Sequence, residues 1–346
     1  MTQLHPRELG APDAAGDDTG RIRVQRGRTS AWIGGALLVV VVAVLGYLPY
    51  LASRGTQVDL VGFFVLVVLG TMWNLLAGYG GMVSIGQQAW IGLGGYGLVY
   101  LAQNLGLDPF LSIPLAALVC GLLAWPTSYL AFRLSGGYFA IGTWVIAEVV
   151  RLLVTQVSAV GAGSGASLTA FGGLDPLYRI AYVYWVALGI TVLVVLGVYL
   201  LMRSRLGLAL TAIRDEPTAA GSSGVEVTRA KRLVFVLAAV GCGLAGAMIV
   251  ANTLRVKPGS IFSVDYSAMM IFIVVIGGLG TIEGPIVGAL VFYLLQNNLA
   301  DLGNWYLVIV GAVAIAVTLL APKGLWGLTR GRLTVFPTGY RVGRRS

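Results

Sequence analysis

Along most of its length this chain is a succession of apolar runs, each at or near the length that crosses a hydrocarbon layer. A helix needs roughly 20 mostly apolar residues to traverse a core about 30 Å thick. Runs of that kind occupy residues 32–50, 59–76, 89–102, 111–132, 138–157, 181–202, 233–253, 266–276, 285–299 and 305–321. The strands of a transmembrane barrel would be roughly 10 residues long and alternating, and these runs are neither. With 57% hydrophobic and 11% charged residues and a mean hydropathy of +0.86, the chain falls outside the soluble range. The expected fold is all-α, a polytopic membrane bundle of about ten transmembrane segments broken by glycine-rich stretches, with residues 30–322 as the transmembrane domain.

Lysine and arginine orient such a bundle, because cytoplasmic loops hold an excess of them. With both termini inside, 18 of the 23 basic residues fall on the cytoplasmic side. Only Arg54, Arg151, Arg179, Arg255 and Lys257 fall on or near the far side. The net charge of +9 then follows from topology and attraction to anionic lipid, and no nucleic-acid partner is needed to explain it. Residues 1–29 and 323–346 are expected to be solvated cytoplasmic tails, the first disordered and lacking a convincing cleavage site for a signal peptide. Trp32, Trp185, Trp305 and Trp326 fall near the ends of spans, where amphipathic rings anchor at headgroup level.

Several chemistries lack material. Cys120 and Cys242 lie inside apolar runs as small hydrophobes, and the sole histidine, His5, is in the N-terminal tail, so neither a metal framework nor His-dependent catalysis is expected. A phosphate-binding loop ends in Lys followed by Ser or Thr, whereas Lys231, Lys257 and Lys323 precede Arg, Pro and Gly. The expectation is a transport subunit, not an enzyme, with no cofactor. If it pumps, its energy comes from a separate chain or an ion gradient.

Residues 203–232, RSRLGLALTAIRDEPTAAGSSGVEVTRAKR, form the one long polar insert between spans. A stretch this hydrophilic belongs in water, and its small residues suit reception of another protein. Two glycine-rich windows interrupt the spans. The first holds Gly78, Gly80, Gly81, Gly86, Gly92, Gly94, Gly95 and Gly97 within twenty residues, with the break expected over 78–86 and Ser84, Gln87 and Gln88 at the start of a short run; the second holds Gly277, Gly278, Gly280 and Gly284 around Glu283. In hydrocarbon, irregular backbone survives only when buried in protein or lining a watery cavity, and broken helices mark transport pathways. Close helix packing through small residues is the plainer alternative. Glu283 sits at a cytoplasmic end and either reaches headgroup water or takes part in gating. Glu148 lies near the middle of 138–157, where a carboxylate is costly unless paired or facing water; Arg151, three residues on, can neutralise it on the same helix face.

Five strings together resemble a known family. RLGLALTAIRDEPTAAGSSGV, from Arg205, resembles the loop by which membrane subunits of ATP-binding-cassette importers dock on their ATPases. GYGGMVSIGQQAWIGLGGY from Gly78, RLSGGYFAIGTWVIAE from Arg133, GGLGTIEGPIVGAL from Gly277 and APKGLWG from Ala321 resemble stretches of the LivM-type permeases of branched-chain amino acid importers. Urea and short-amide importers have similar permeases. The resemblance implies two ATPase subunits, a sister permease and an extracytoplasmic solute-binding protein as partners, in the bacterial inner membrane. It places Arg214, Asp215, Glu216, Ala219, Ala220 and Gly224 in the ATPase-coupling loop. Within that loop Asp215 is expected to cap a short helix, Pro217 to open it, and Gly221 or Gly224 to end it. Pathway candidates are Gly78, Gly81, Ser84, Gln87, Gln88, Tyr138, Thr143, Glu148, Gly277, Gly278, Gly280 and Glu283. The Gly- and Ser-rich loop 158–180, with Arg255 and Lys257, is expected to face outside, as the seat of the binding protein or as a flexible connector. The expected function is a permease subunit carrying leucine, isoleucine and valine; a self-sufficient carrier or channel using Glu148 as its ion site is the alternative of a different class.

Overall fold

A computed structural model describes residues 23–25, 28–299, 305–328 and 341–343, so most of the expected tails lies outside it. Its helices are α1 (Arg28–Tyr47), α2 (Arg54–Asn74), α3 (Gln88–Val99), α4 (Pro109–Ala131), α5 (Gly137–Thr155), α6 (Pro176–Arg203), α7 (Arg205–Asp215), α8 (Pro217–Ser222), α9 (Val227–Thr253), α10 (Pro258–Ile261), α11 (Asp265–Gly277), α12 (Glu283–Leu299), α13 (Trp305–Leu320) and α14 (Gly324–Gly327). Among the described residues, four strands of two or three residues, β1 (Arg23–Gln25), β2 (Ala166–Ser167), β3 (Arg255–Val256) and β4 (Arg341–Gly343), make two antiparallel pairs, β1 with β4 and β2 with β3. The fold is all-α in substance.

Among the described residues, seven helical segments are long and apolar enough to cross a membrane: Arg54–Tyr79, Pro109–Ala131, Gly137–Thr155, Pro176–Arg203, Val227–Thr253, Pro258–Gly277 and Val308–Gly327. The ten runs read from the sequence do not all become full spans. Run 32–50 holds a shorter apolar helix, Leu38–Tyr50. Run 89–102 becomes α3, 12 residues followed by a π-helical turn at Tyr100–Asn104, and run 285–299 becomes the 17-residue α12. The two short helices are those that follow the glycine-rich windows, where the breaks use up chain that a full span would need.

The centre of the bundle is α2 with α9. In α2 and its continuation 83% of the apolar window is buried, against 22% in α5, which lies at the periphery. α9 packs against α2, α3 and α4, and α2 also meets α6, α11 and α12. Glycine allows the closest crossing. A Cβ on Gly94 of α3 would collide with the Gly243 carbonyl of α9, and one on Gly246 with the Ile91 carbonyl, so the two backbones touch. Cys120 and Cys242 are both buried beside this crossing. Pro114 and Pro126 lie inside α4, each removing a backbone donor.

At one end of the bundle, loop 158–180 is tied down instead of hanging free. Its β2 strand pairs with β3, and Gln103 Nε2 donates to Ser167 O at 2.7 Å and to Thr169 Oγ1 at 2.8 Å. The polar insert stands at the other end, separated by the 27 residues of α9, roughly 40 Å of helix at ~1.5 Å per residue.

Candidate functional site

The first glycine-rich window is a genuine break. α2 widens into a π-helical turn at Leu75–Tyr79, the chain runs irregularly from 80 to 87, and α3 begins at Gln88. Ser84, Gln87 and Gln88 are buried, and their polar groups find partners inside the protein. Gln87 Nε2 donates to Ser84 Oγ at 3.1 Å, and Trp73 Nε1 to the Ser84 carbonyl at 2.9 Å. The Ser267 hydroxyl, from α11, bonds the Ile85 carbonyl at 2.8 Å and meets Gln88 Oε1. The Ile85 N–H donates to Thr143 Oγ1 of α5 at 3.3 Å, and Gly86 lies so close to the Thr143 carbonyl that no Cβ would fit. Thr143 thus fastens α5 to the break. In this conformation Ser84, Gln87 and Gln88 hold the break's shape within the subunit.

The second window is also a break. α11 ends at Gly277, Gly278 and Gly280 take φ of +133° and +75°, and α12 starts at Glu283. Thr281 bridges the gap: its Oγ1 donates to Gly278 O at 2.9 Å and accepts from Gly284 N at 3.0 Å. Glu283 is only 8% exposed, so the expectation that it reaches headgroup water does not hold. It occupies the first turn of α12, where the helix dipole favours a carboxylate. The Ala321 motif closes over this break, with Gly324 on the Gly278 backbone and Trp326 beside it. Trp326 is half-buried, with its Cβ beside Gly278 at the junction. Trp185 bonds the Gly46 carbonyl at 3.1 Å, and Trp305 is exposed.

The two breaks meet. Asn74, at the end of α2, donates through Nδ2 to Thr281 O at 2.7 Å and accepts through Oδ1 from Gly280 N at 2.8 Å. Nothing in the sequence reading had singled out Asn74, though a lone amide in the apolar run 59–76 is the kind of residue that marks a function in a membrane. Ser267 offered no such signal. Tyr79, buried in the π turn, lies within electrostatic reach of both Glu283 and Arg214, and its hydroxyl has no hydrogen-bond partner among the described residues.

The polar insert folds into two short helices, of which α7 lies against this junction and α8 packs on α7 and α9. Arg214 pairs with Asp215 at 2.9 Å, and its Nη1 donates to the Gly78 carbonyl at 3.2 Å. Gly81, at φ +65°, lies against the Arg214 backbone. Asp215 does not cap α8 as expected. The break between α7 and α8 falls one residue later, so Glu216 is the N-cap, accepting from Thr218 N at 3.3 Å, with Pro217 first in the helix. Gly224, at φ +85°, ends the segment. Residues 214–219 and 221–224 are exposed, whereas Ala220 is buried, so of the expected alanine pair only Ala219 faces outward.

On α5, Tyr138 is 77% exposed. Glu148 and Arg151 form an ion pair on the same helix, at the surface of the subunit. The remaining candidates, Gly277, Gly278 and Gly280, lie in the second break, and Gly78 and Gly81 in the first.

The chain matches the model of a family described as branched-chain amino acid transport system, permease component, over residues 57–318. It is 30% identical over 324 residues to the high-affinity branched-chain amino acid transport system permease protein LivM of Salmonella typhimurium, covering 86% of this chain and 75% of that protein. The LivM of Escherichia coli strain K12 matches equally, 30% over 325 residues with the same coverage. The ribose import permease protein RbsC of the same strain is 30% identical over 179 residues, 49% of this chain and 55% of its own. No solved structure matches. A helical membrane protein whose two buried breaks, polar insert and closing motif meet at one junction, and which matches that model across three quarters of its length, belongs to the branched-chain amino acid transport permease family.

Proposed function

We propose that this chain is a translocation subunit of an ATP-driven importer of leucine, isoleucine and valine in the bacterial inner membrane. Separate ATPase subunits dock on α7 and α8 from the cytoplasm, a sister permease completes the pathway, and a solute-binding protein delivers cargo at the end that carries loop 158–180. The observation that carries this reading is the placement of α7, the first half of the exposed insert, against the helix breaks through Arg214. A motor bound there acts on irregular backbone, the part of the bundle able to rearrange. The substrate is argued from the LivM relatives, which match 86% of the chain at 30% identity, whereas ribose import permeases match 49% of it at 30% identity or 64% of it at 24%.

The test is coexpression with candidate ATPase, sister-permease and binding-protein genes, followed by reconstitution into liposomes. ATP-dependent uptake of leucine, isoleucine and valine, without uptake of urea, is the expected result. Gradient-driven uptake by this chain alone would overturn the reading. Topology is checked separately by Ser222→Cys, which adds an exposed thiol to a chain whose two cysteines are buried. An impermeant maleimide should label it in inverted vesicles and not in intact cells.

A further inference from the structure

We propose that Arg214 is the mechanical link between the docking segment and both helix breaks, so that displacement of α7 shifts the two breaks together. The inference rests on the importer reading for its biological meaning, but its structural content stands on contacts alone.

Arg214 is the last-turn basic residue of α7, with 38% of its side chain exposed on the outer side. Its other side reaches inward. Nη1 holds the Gly78 carbonyl of the first break, and a Cβ on Gly280 of the second would lie 3.2 Å from the same nitrogen. Asp215 holds the guanidinium from the exposed side, with Nε donating to Oδ1 at 3.0 Å. One planar group of the docking helix is therefore bonded to the first break and lies beside the second, and the fixed fork of a guanidinium suits such a shared position better than an ammonium does.

The breaks are themselves joined by Asn74, which holds Gly280 and Thr281, and by the contact of Gly78 with Gly280. A pull on Gly78 is therefore passed to the second break through its close approach to the Gly280 backbone and through the Asn74 amide, which is bonded to Gly280 and Thr281. Of the helices that flank the insert, α9 is packed along most of its length against α2, α3 and α4, which leaves it little freedom to follow α7.

Two measurements test the link. Hydrogen exchange on the purified chain reads it without transport: Arg214→Ala should raise exchange at 78–86 and at 278–284 together, leaving the α3–α9 crossing protected. Loosening of α7 and α8 alone would refute it. In the reconstituted complex, Arg214→Ala should lower leucine uptake per ATP hydrolysed by about tenfold, a coupling loss within the usual range. A merely structural role would lower assembly and ATPase activity while leaving that ratio at the wild-type value. Arg214→Lys keeps the charge, and carries the same measurement should the alanine variant fail to assemble. It is expected to remain poorly coupled, and wild-type stoichiometry in either variant would overturn the proposal. If the wild-type complex shows no ATP-driven uptake, the importer reading fails, and the exchange experiment still decides the link.

Discussion

Gly78 and Gly280, 202 residues apart in the chain, lie backbone against backbone: a Cβ on Gly78 would sit 2.7 Å from Gly280 N. The nearest obstacle, closer still, is Asn74 Oδ1, and since that amide is itself bonded to Gly280 N and Thr281 O, neither it nor the main chain behind it is free to swing aside. Gly78→Ala should therefore destabilise the subunit by about 1–3 kcal/mol through overpacking. A lowered melting temperature of the detergent-purified protein is the readout, and an unchanged one would mean the breaks do not touch.

Asn74 uses both ends of its amide on the second break. Asn74→Asp keeps the acceptor for Gly280 N but loses the donor to Thr281 O, and sets a carboxylate against that carbonyl. It should cost more than the about 1–3 kcal/mol expected for one buried group left unpaired. Asn74→Ala leaves Gly280 N–H and Thr281 O without their partner and should also lower the melting temperature. Equal stability of both variants with wild type would show that the amide is dispensable.

The glycines separate into two kinds, which thermal shifts can tell apart. Gly246→Ala would drive a methyl into the Ile91 carbonyl and should force α3 away from α9, with loss of folded protein. Gly189, within α6, has nothing within 4 Å of its would-be Cβ. Gly189→Ala should be neutral or stabilising by about 0.5–1 kcal/mol, since alanine gives up less conformational freedom in a helix.

In the docking segment the N-cap of α8 belongs to Glu216. Glu216→Ala should loosen that helix by no more than about 1 kcal/mol, and Gly224→Ala should strain the left-handed turn by roughly 1–2 kcal/mol. Both should leave the bundle's melting temperature nearly unchanged while reducing copurification of the ATPase or uptake per ATP. Full coupling in the double variant would remove α8 from the docking site.

Glu148 and Arg151 neutralise each other on the outer face of α5. Removing one charge should be worse than removing both. Glu148→Gln alone should lower expression and thermal stability, and adding Arg151→Gln should restore much of the loss. Normal uptake in the double variant would assign the pair to membrane compatibility; loss of uptake with stability restored would place it on the solute's route.

By itself the sequence determined the class of this protein. Apolar runs of spanning length leave helices in a membrane, because backbone polar groups in hydrocarbon must be satisfied within the segment. The two glycine windows and the polar insert were equally legible, since composition over ten to thirty residues is local information. Only the tertiary structure decided that these features meet. The bonds of Asn74 to Gly280 and Thr281, of Arg214 to Gly78, and of Ser267 to Ile85 join residues more than 130 positions apart, and a local pattern does not name a distant partner. The same cause explains the smaller differences. Glu283 is buried because Gly278, Gly284 and Gly324 let backbones close around its helix start, and the cap of α8 moved from Asp215 to Glu216 because Asp215 ends α7 paired with Arg214. Spans are written in local hydropathy; the junction between them arises from packing, which places glycine backbones in contact across the bundle.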